Sequence, residues 1–97
     1  MTLMSIQDFA GAANETFELS VGEAAMPLTL IEVKPLPTKP VAGMLRAPFS
    51  LLFKSESPVI LPQRIYRVKN AAMGALDVFL VPVARDGPAV VYQAVFN

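Results

Sequence analysis

The sequence has no histidine, no cysteine and no tryptophan. Without cysteine there is neither a disulfide framework nor a thiolate metal site. Without histidine there is no Ser-His-Asp triad, no imidazole acid–base pair and no imidazole-bound zinc. Charge is scarce too. Only 16% of residues are charged and the formal net charge is zero, so the high net charge of a disordered chain is missing. The broad cationic footprint of a nucleic-acid binder is missing as well. The longest unbroken apolar run covers residues 78–84, far short of the ~20 residues a membrane-spanning helix needs. The first eight residues carry no basic segment and lead into no apolar stretch of the signal-peptide kind. The expectation is a protein without signal peptide or transmembrane segment, either cytoplasmic or built into a larger particle. Neither a Gly-x-Gly-x-x-Gly fingerprint nor a Walker lysine motif occurs.

What remains is an apolar chain of 97 residues, 54% of them hydrophobic. At this size a folded chain exposes roughly 5,400 Å² against about 15,000 Å² unfolded. That suffices for one core, and residues 1–97 read as a single domain. Ser5 with Asp8 three residues on forms a capping-box signal, and Ile6 and Phe9 share a face of the short helix it would open. Gly11 or Asn14 would end that helix. From residue 15 the apolar period becomes two. Phe17, Leu19 and Val21 alternate with Thr16, Glu18 and Ser20. A turn is expected over residues 22–25 and a second strand from about Pro27 to Lys34. There Thr29, Ile31 and Val33 oppose Leu28, Leu30 and Glu32, and both faces read as covered.

Residues 35–48 hold four of the nine prolines and read as a long irregular connection. Further strands are expected at residues 49–53, 63–69, 76–81 and 89–97. The last two are separated by an Asp86-Gly87 hairpin signal, and residues 59–62 form a short extended link. Six strands after one short helix, with no helical crossover, predict an all-β fold. A small, mainly antiparallel six-stranded barrel with a short N-terminal helix fits best, since closure removes sticky edges. A two-layer β-sandwich is the alternative.

The charges are unevenly spread. Residues 1–33 carry five acids and no base, whereas residues 34–69 carry seven bases and one acid. These segments either pair across one surface or form opposite poles. Serines lack a histidine to activate them, and Lys54 next to Ser55 would face the other side of a strand. Glu32 and Asp77 stand in otherwise apolar strands and are the acids of most interest for catalysis. No catalytic, metal-binding or cofactor-binding residue is assigned, and a non-enzymatic protein without a cofactor is expected. The candidate interaction residues are Pro37, Lys39, Pro40, Met44 and Arg46 in the proline-stiffened connection, with Arg64 and Arg67 on a later strand. Pro37 and Pro40 formally make a P-x-x-P element. Arg64, Tyr66 and Arg67 mix cations with an aromatic as single-strand binders do, but alternation separates Arg64 and Tyr66 from Arg67. Phe49, Phe53, Tyr66, Phe79 and Tyr92 would line the mouth of a small-ligand barrel.

Several segments taken in order resemble a family of short bacterial domains of unknown function. They are Asp8-Phe9, residues 15–17 and 49–53, Leu61-Pro62-Gln63 with Tyr66, Met73-Gly74, and residues 78–83 and 92–97. The chain departs from that pattern at Asn70-Ala71, where the family has His-Pro. The resemblance implies no enzymatic activity and no catalytic residues. It implies a neighbourhood of phage-tail-collar-like proteins of the microcystin-dependent type. The expected function is therefore a structural or interaction domain accessory to a phage-tail-like assembly, acting on a protein partner or on a second copy of itself. The alternatives are a small-ligand-binding barrel and a nucleic-acid-binding barrel. No membrane contact is expected.

Overall fold

The fold is that of a computed structural model, which describes residues 5–37 and 48–96. One short helix, α1 (Ile6–Ala10), precedes six strands: β1 (Thr16–Val21), β2 (Ala24–Pro35), β3 (Phe49–Ser55), β4 (Arg64–Asn70), β5 (Gly74–Asp86) and β6 (Ala89–Phe96). They close into a barrel in the order β1-β2-β3-β6-β5-β4, every neighbouring pair antiparallel. The barrel is two three-stranded meanders joined along β3–β6 and β1–β4. In each, the long central strand serves both neighbours in turn. β2 pairs with β1 from Ala24 to Thr29 and with β3 from Thr29 to Pro35. β5 pairs with β4 from Gly74 to Leu80 and with β6 from Val81 to Asp86.

Two tight turns set these registers. The β1–β2 hairpin closes at Val21↔Ala24 over Gly22-Glu23, and the β5–β6 hairpin at Asp86↔Ala89 over Gly87-Pro88. Both loops begin with glycine at positive φ, +59° and +62°, the arrangement of a type II′ turn, whose twist matches the flanking strands. The turn over residues 22–25 expected from sequence is thus only two residues long, and Ala24 and Ala25 belong to β2. The Asp-Gly signal marks the second hairpin correctly, but its loop is Gly-Pro.

Each central strand also carries one β-bulge, with Ile31 as the extra residue in β2 and Val83 in β5. A bulge shifts the side-chain phase by one. Leu28 and Leu30 therefore share the interior with Val33, while Ile31 turns outward at 42% exposure and Glu32 is exposed. Strict alternation had set Ile31 with Val33 against Leu30, and the bulge corrects it. Neither β2 nor β5 is covered on both faces.

The interior is a continuous apolar cluster. Phe17, Leu19, Leu28, Leu30, Phe49, Leu51, Phe53, Val68, Leu80 and Tyr92 are fully buried in it. Phe17 meets Phe53 edge to face at 5.4 Å, and Phe49 stacks on Phe96 at 4.8 Å. Such pairs add roughly 0.5–1.5 kcal/mol each beyond their burial. α1 closes one end through Phe9, which is fully buried and packs on Phe49 and Phe96. The Asp8 carboxylate caps the helix start by accepting the Ser5 backbone N–H at 2.7 Å. Gly11 ends the helix, and Asn14 takes the left-handed conformation (φ 69°) in the turn that follows.

β6 is bonded on one edge to β3 and on the other to β5, and it contributes Val90, Tyr92 and Ala94 to the core. A chain ending at Val91 should therefore show no cooperative thermal unfolding transition by circular dichroism, whereas the full chain should show one.

Candidate functional site

Both tyrosines of the sequence lie on inner strand faces and spend their hydroxyls on one connection. The Tyr66 hydroxyl donates to the Pro62 carbonyl at 2.6 Å. The Tyr92 hydroxyl accepts the Leu61 N–H at 3.0 Å and donates to the Val59 carbonyl at 3.4 Å. The Arg85 guanidinium adds a bond to the Pro58 carbonyl at 3.1 Å. The extended link over residues 59–62 is thereby strapped across the end of the barrel opposite α1. Burial pushes the Tyr66 phenol above its ordinary value, while the nearby Arg64 charge opposes the shift. Since the folded value lies above the unfolded one, this contribution to stability is complete below pH ~10 and is lost as the pH rises beyond it. Stability in urea should fall above that pH, and Tyr66→Phe should flatten the fall.

At the other end Asn70 closes β4. It is 8% exposed. Its amide nitrogen donates to the Glu15 carboxylate (3.2 Å) and the Thr16 carbonyl (3.1 Å), and its oxygen accepts the N–H groups of Ala72 (2.8 Å) and Met73 (3.2 Å). The side chain thus folds the β4–β5 turn and ties it to the start of β1. The sequence singles out Asn70 only as a departure from the resembled pattern; a buried asparagine has no signature that separates it from an exposed one. Asn70→Ala should cost about 1–3 kcal/mol in urea unfolding, because it deletes several part-buried side-chain bonds at once.

The candidate interaction residues are dispersed. Lys39, Pro40, Met44 and Arg46 lie outside the described residues. Pro37 is exposed where the described chain leaves β2, just past Leu36, whose N–H bonds the Pro48 carbonyl at 3.1 Å. Arg64 and Arg67 are both exposed on β4. Arg67 is held on the outer face by Asp77, Nε to Oδ1 at 3.1 Å, and that carboxylate raises its pKa. Arg64 projects on the Tyr66 side of the strand but ends at the barrel rim. Together Arg64 and Arg67 line a cleft of about 270 Å³ with Ser20, Val21 and Gly22. Glu32 and Asp77, the acids set in apolar strands, both stand on the exterior. Lys54 pairs with Asp86 at 3.1 Å, and this bond raises the lysine's pKa.

Phe79 does not line the interior. It is 50% exposed on the outside of β5, directly across from Ile65 at 67%. Its inner neighbours Val78 and Leu80 fill the core instead. On β6, Val95 is 49% exposed, two residues beyond the Val81↔Gln93 pair. The exterior of the β4–β5–β6 meander thus carries an apolar stripe of Ile65, Phe79 and Val95, with half-buried Val81 beside it. The exterior of β1 and β2 carries Thr16, Glu18, Ser20, Thr29 and Glu32, with Ile31 exposed at the bulge. The ligand-barrel reading sets Phe79 inside, whereas alternation groups it with Asp77 on the face opposite Val78 and Leu80, which is the face the structure turns outward. Among the described residues no group of acids could hold a metal ion, and no helix is long and apolar enough to cross a membrane.

A closed antiparallel barrel, capped by a helix and carrying an apolar exterior stripe, defines a small all-β domain. The chain belongs to a family described as Domain of unknown function (DUF6916), whose model matches residues 4–96. No curated protein and no solved structure matches it.

Proposed function

We propose that this domain is a non-enzymatic interaction module that binds a protein partner through the outer face of the β4–β5–β6 meander, as an accessory of a phage-tail-like assembly. The observation that carries the reading is the Ile65–Phe79 cross-strand pair. A directly opposed aromatic and aliphatic pair contributes to a sheet through mutual contact, but that contribution does not require both groups to stand in water. A second layer against them would remove that exposure at about 25 cal/mol per Å². Exposed large apolar groups grouped on one sheet face have the form of a contact surface. The interior supports the same reading, since its aromatic side chains are engaged with one another and with the end-strapping link. The association with a tail-like assembly is carried by the sequence resemblance.

A photo-crosslinking residue at position 79, in cells that make the protein, should yield one discrete adduct containing a structural protein of a tail-like particle. The same group at Thr29, on the polar meander, should yield none. Absence of any adduct at position 79 would overturn the reading.

A further inference from the structure

The barrel is not zipped to the end along its β1–β4 seam. These strands pair at Glu18↔Lys69 and Leu19↔Val68. Both then continue, β1 to Val21 and β4 back to Arg64, without pairing. Continuing the register would bring Ser20 opposite Arg67 and Val21 opposite Tyr66. Instead the strands flank the cleft of about 270 Å³ formed by residues 20–22 and 64–67. β4 is paired along its whole length with β5 on its other edge. Successive residues of an antiparallel strand aim their N–H and C=O groups at opposite edges. Every second residue of 64–67 therefore points its main-chain donor and acceptor into the cleft, where β1 leaves them free to accept another strand.

We propose that this seam accepts an extended, acidic segment of a partner protein, which adds as a strand along the free stretch of β4. Main-chain bonds supply the pairing in strand addition, and side-chain pockets supply the selectivity. Here the side chains at the seam are cationic and apolar. Arg64 and Arg67 both line it and no carboxylate does. Among the described residues Arg64 has no ion-pair partner, whereas Arg67 is shared with Asp77. Val21 and Ile65, 38% and 67% exposed, flank it. An added strand turns alternate residues to opposite faces. On the inner side these would meet Arg64 and Val21, and on the outer side Arg67 and Ile65. A strand mixing carboxylates with aliphatic residues satisfies both. A nucleic-acid strand fits less well, because the Tyr66 ring is 7% exposed and its hydroxyl is committed to Pro62, leaving no stacking face.

The test uses the full chain and a fluorescein-labelled octapeptide of alternating valine and glutamate, read by anisotropy. Binding is expected, with a loss of at least tenfold for Arg64→Glu and no binding by the peptide with lysine in place of glutamate. N-methylation of alternate peptide amides should abolish binding in one phase and spare it in the other, which acts on the peptide and leaves the fold untouched. Amide exchange at residues 64–67 should slow when the peptide is added. Phe79→Ser should leave peptide binding unchanged, so failure here is separable from failure of the outer-face reading. Equal binding by both N-methylated peptides, no binding at all, or tighter binding of a single-stranded oligonucleotide than of the peptide would overturn the proposal.

Discussion

Six strands hide their inner side chains from water on all sides only if the last edge meets the first. Here that meeting is confined to Glu18↔Lys69 and Leu19↔Val68. Leu19 and Val68 are both fully buried, so the short ladder brings two core residues together where the sheet closes. Asn70 clamps one side of the ladder by binding both the β4–β5 turn and the start of β1. On the other side the strands part. The pairing of β2 with β3 and of β3 with β6 holds whether or not this seam is shut. The burial of Phe17, Leu19, Val68 and Tyr66 together does not.

The two meanders solve the same geometric problem in the same way. A strand long enough to serve two neighbours in succession must curve, and a bulge provides curvature and added twist. Ile31 and Val83 are the inserted residues, and both are half exposed. The meanders differ on the outside. Threonine, serine and glutamate clothe β1 and β2 apart from Ile31 at the bulge, while isoleucine, phenylalanine and valine stand beside the Arg67–Asp77 pair on β4, β5 and β6. The difference between the two outer walls is therefore made by side chains on one shared backbone plan.

Much of the fold could be read from the chain. The helix cap at Ser5 and Asp8, the six strands, their antiparallel sense and the barrel all follow from period-two patterning and turn residues. Closure gained support from composition, because apolar strands in a chain of this length need a shared interior. What could not be read depends on contacts distant in sequence. Nothing local distinguishes Ile31 from its neighbours as a bulge. Val78, Phe79 and Leu80 are all apolar, so the one local mark of the outward placement of Phe79 is Asp77 on the same face of β5. Asn70 reaches residues more than fifty positions away. Of the interaction residues read from sequence, Arg64 and Arg67 come together at the seam, although alternation separates them onto two faces. They meet because a cleft in the wall admits side chains from both.

The placement of β6 governs the order of events during synthesis. β3 and β5 each present an edge that only β6 covers, and β6 is the last of the three to be made. Until it emerges, two ladders stay open and the inner faces of Phe53 and Leu80 lack the Tyr92 side of their enclosure. Open edges beside uncovered apolar faces are where nascent β proteins pair with the wrong chain. The β3–β6 pairing, distant in sequence, also forms slowly. The interval before β6 docks is therefore the period in which this domain depends most on protection by the cell.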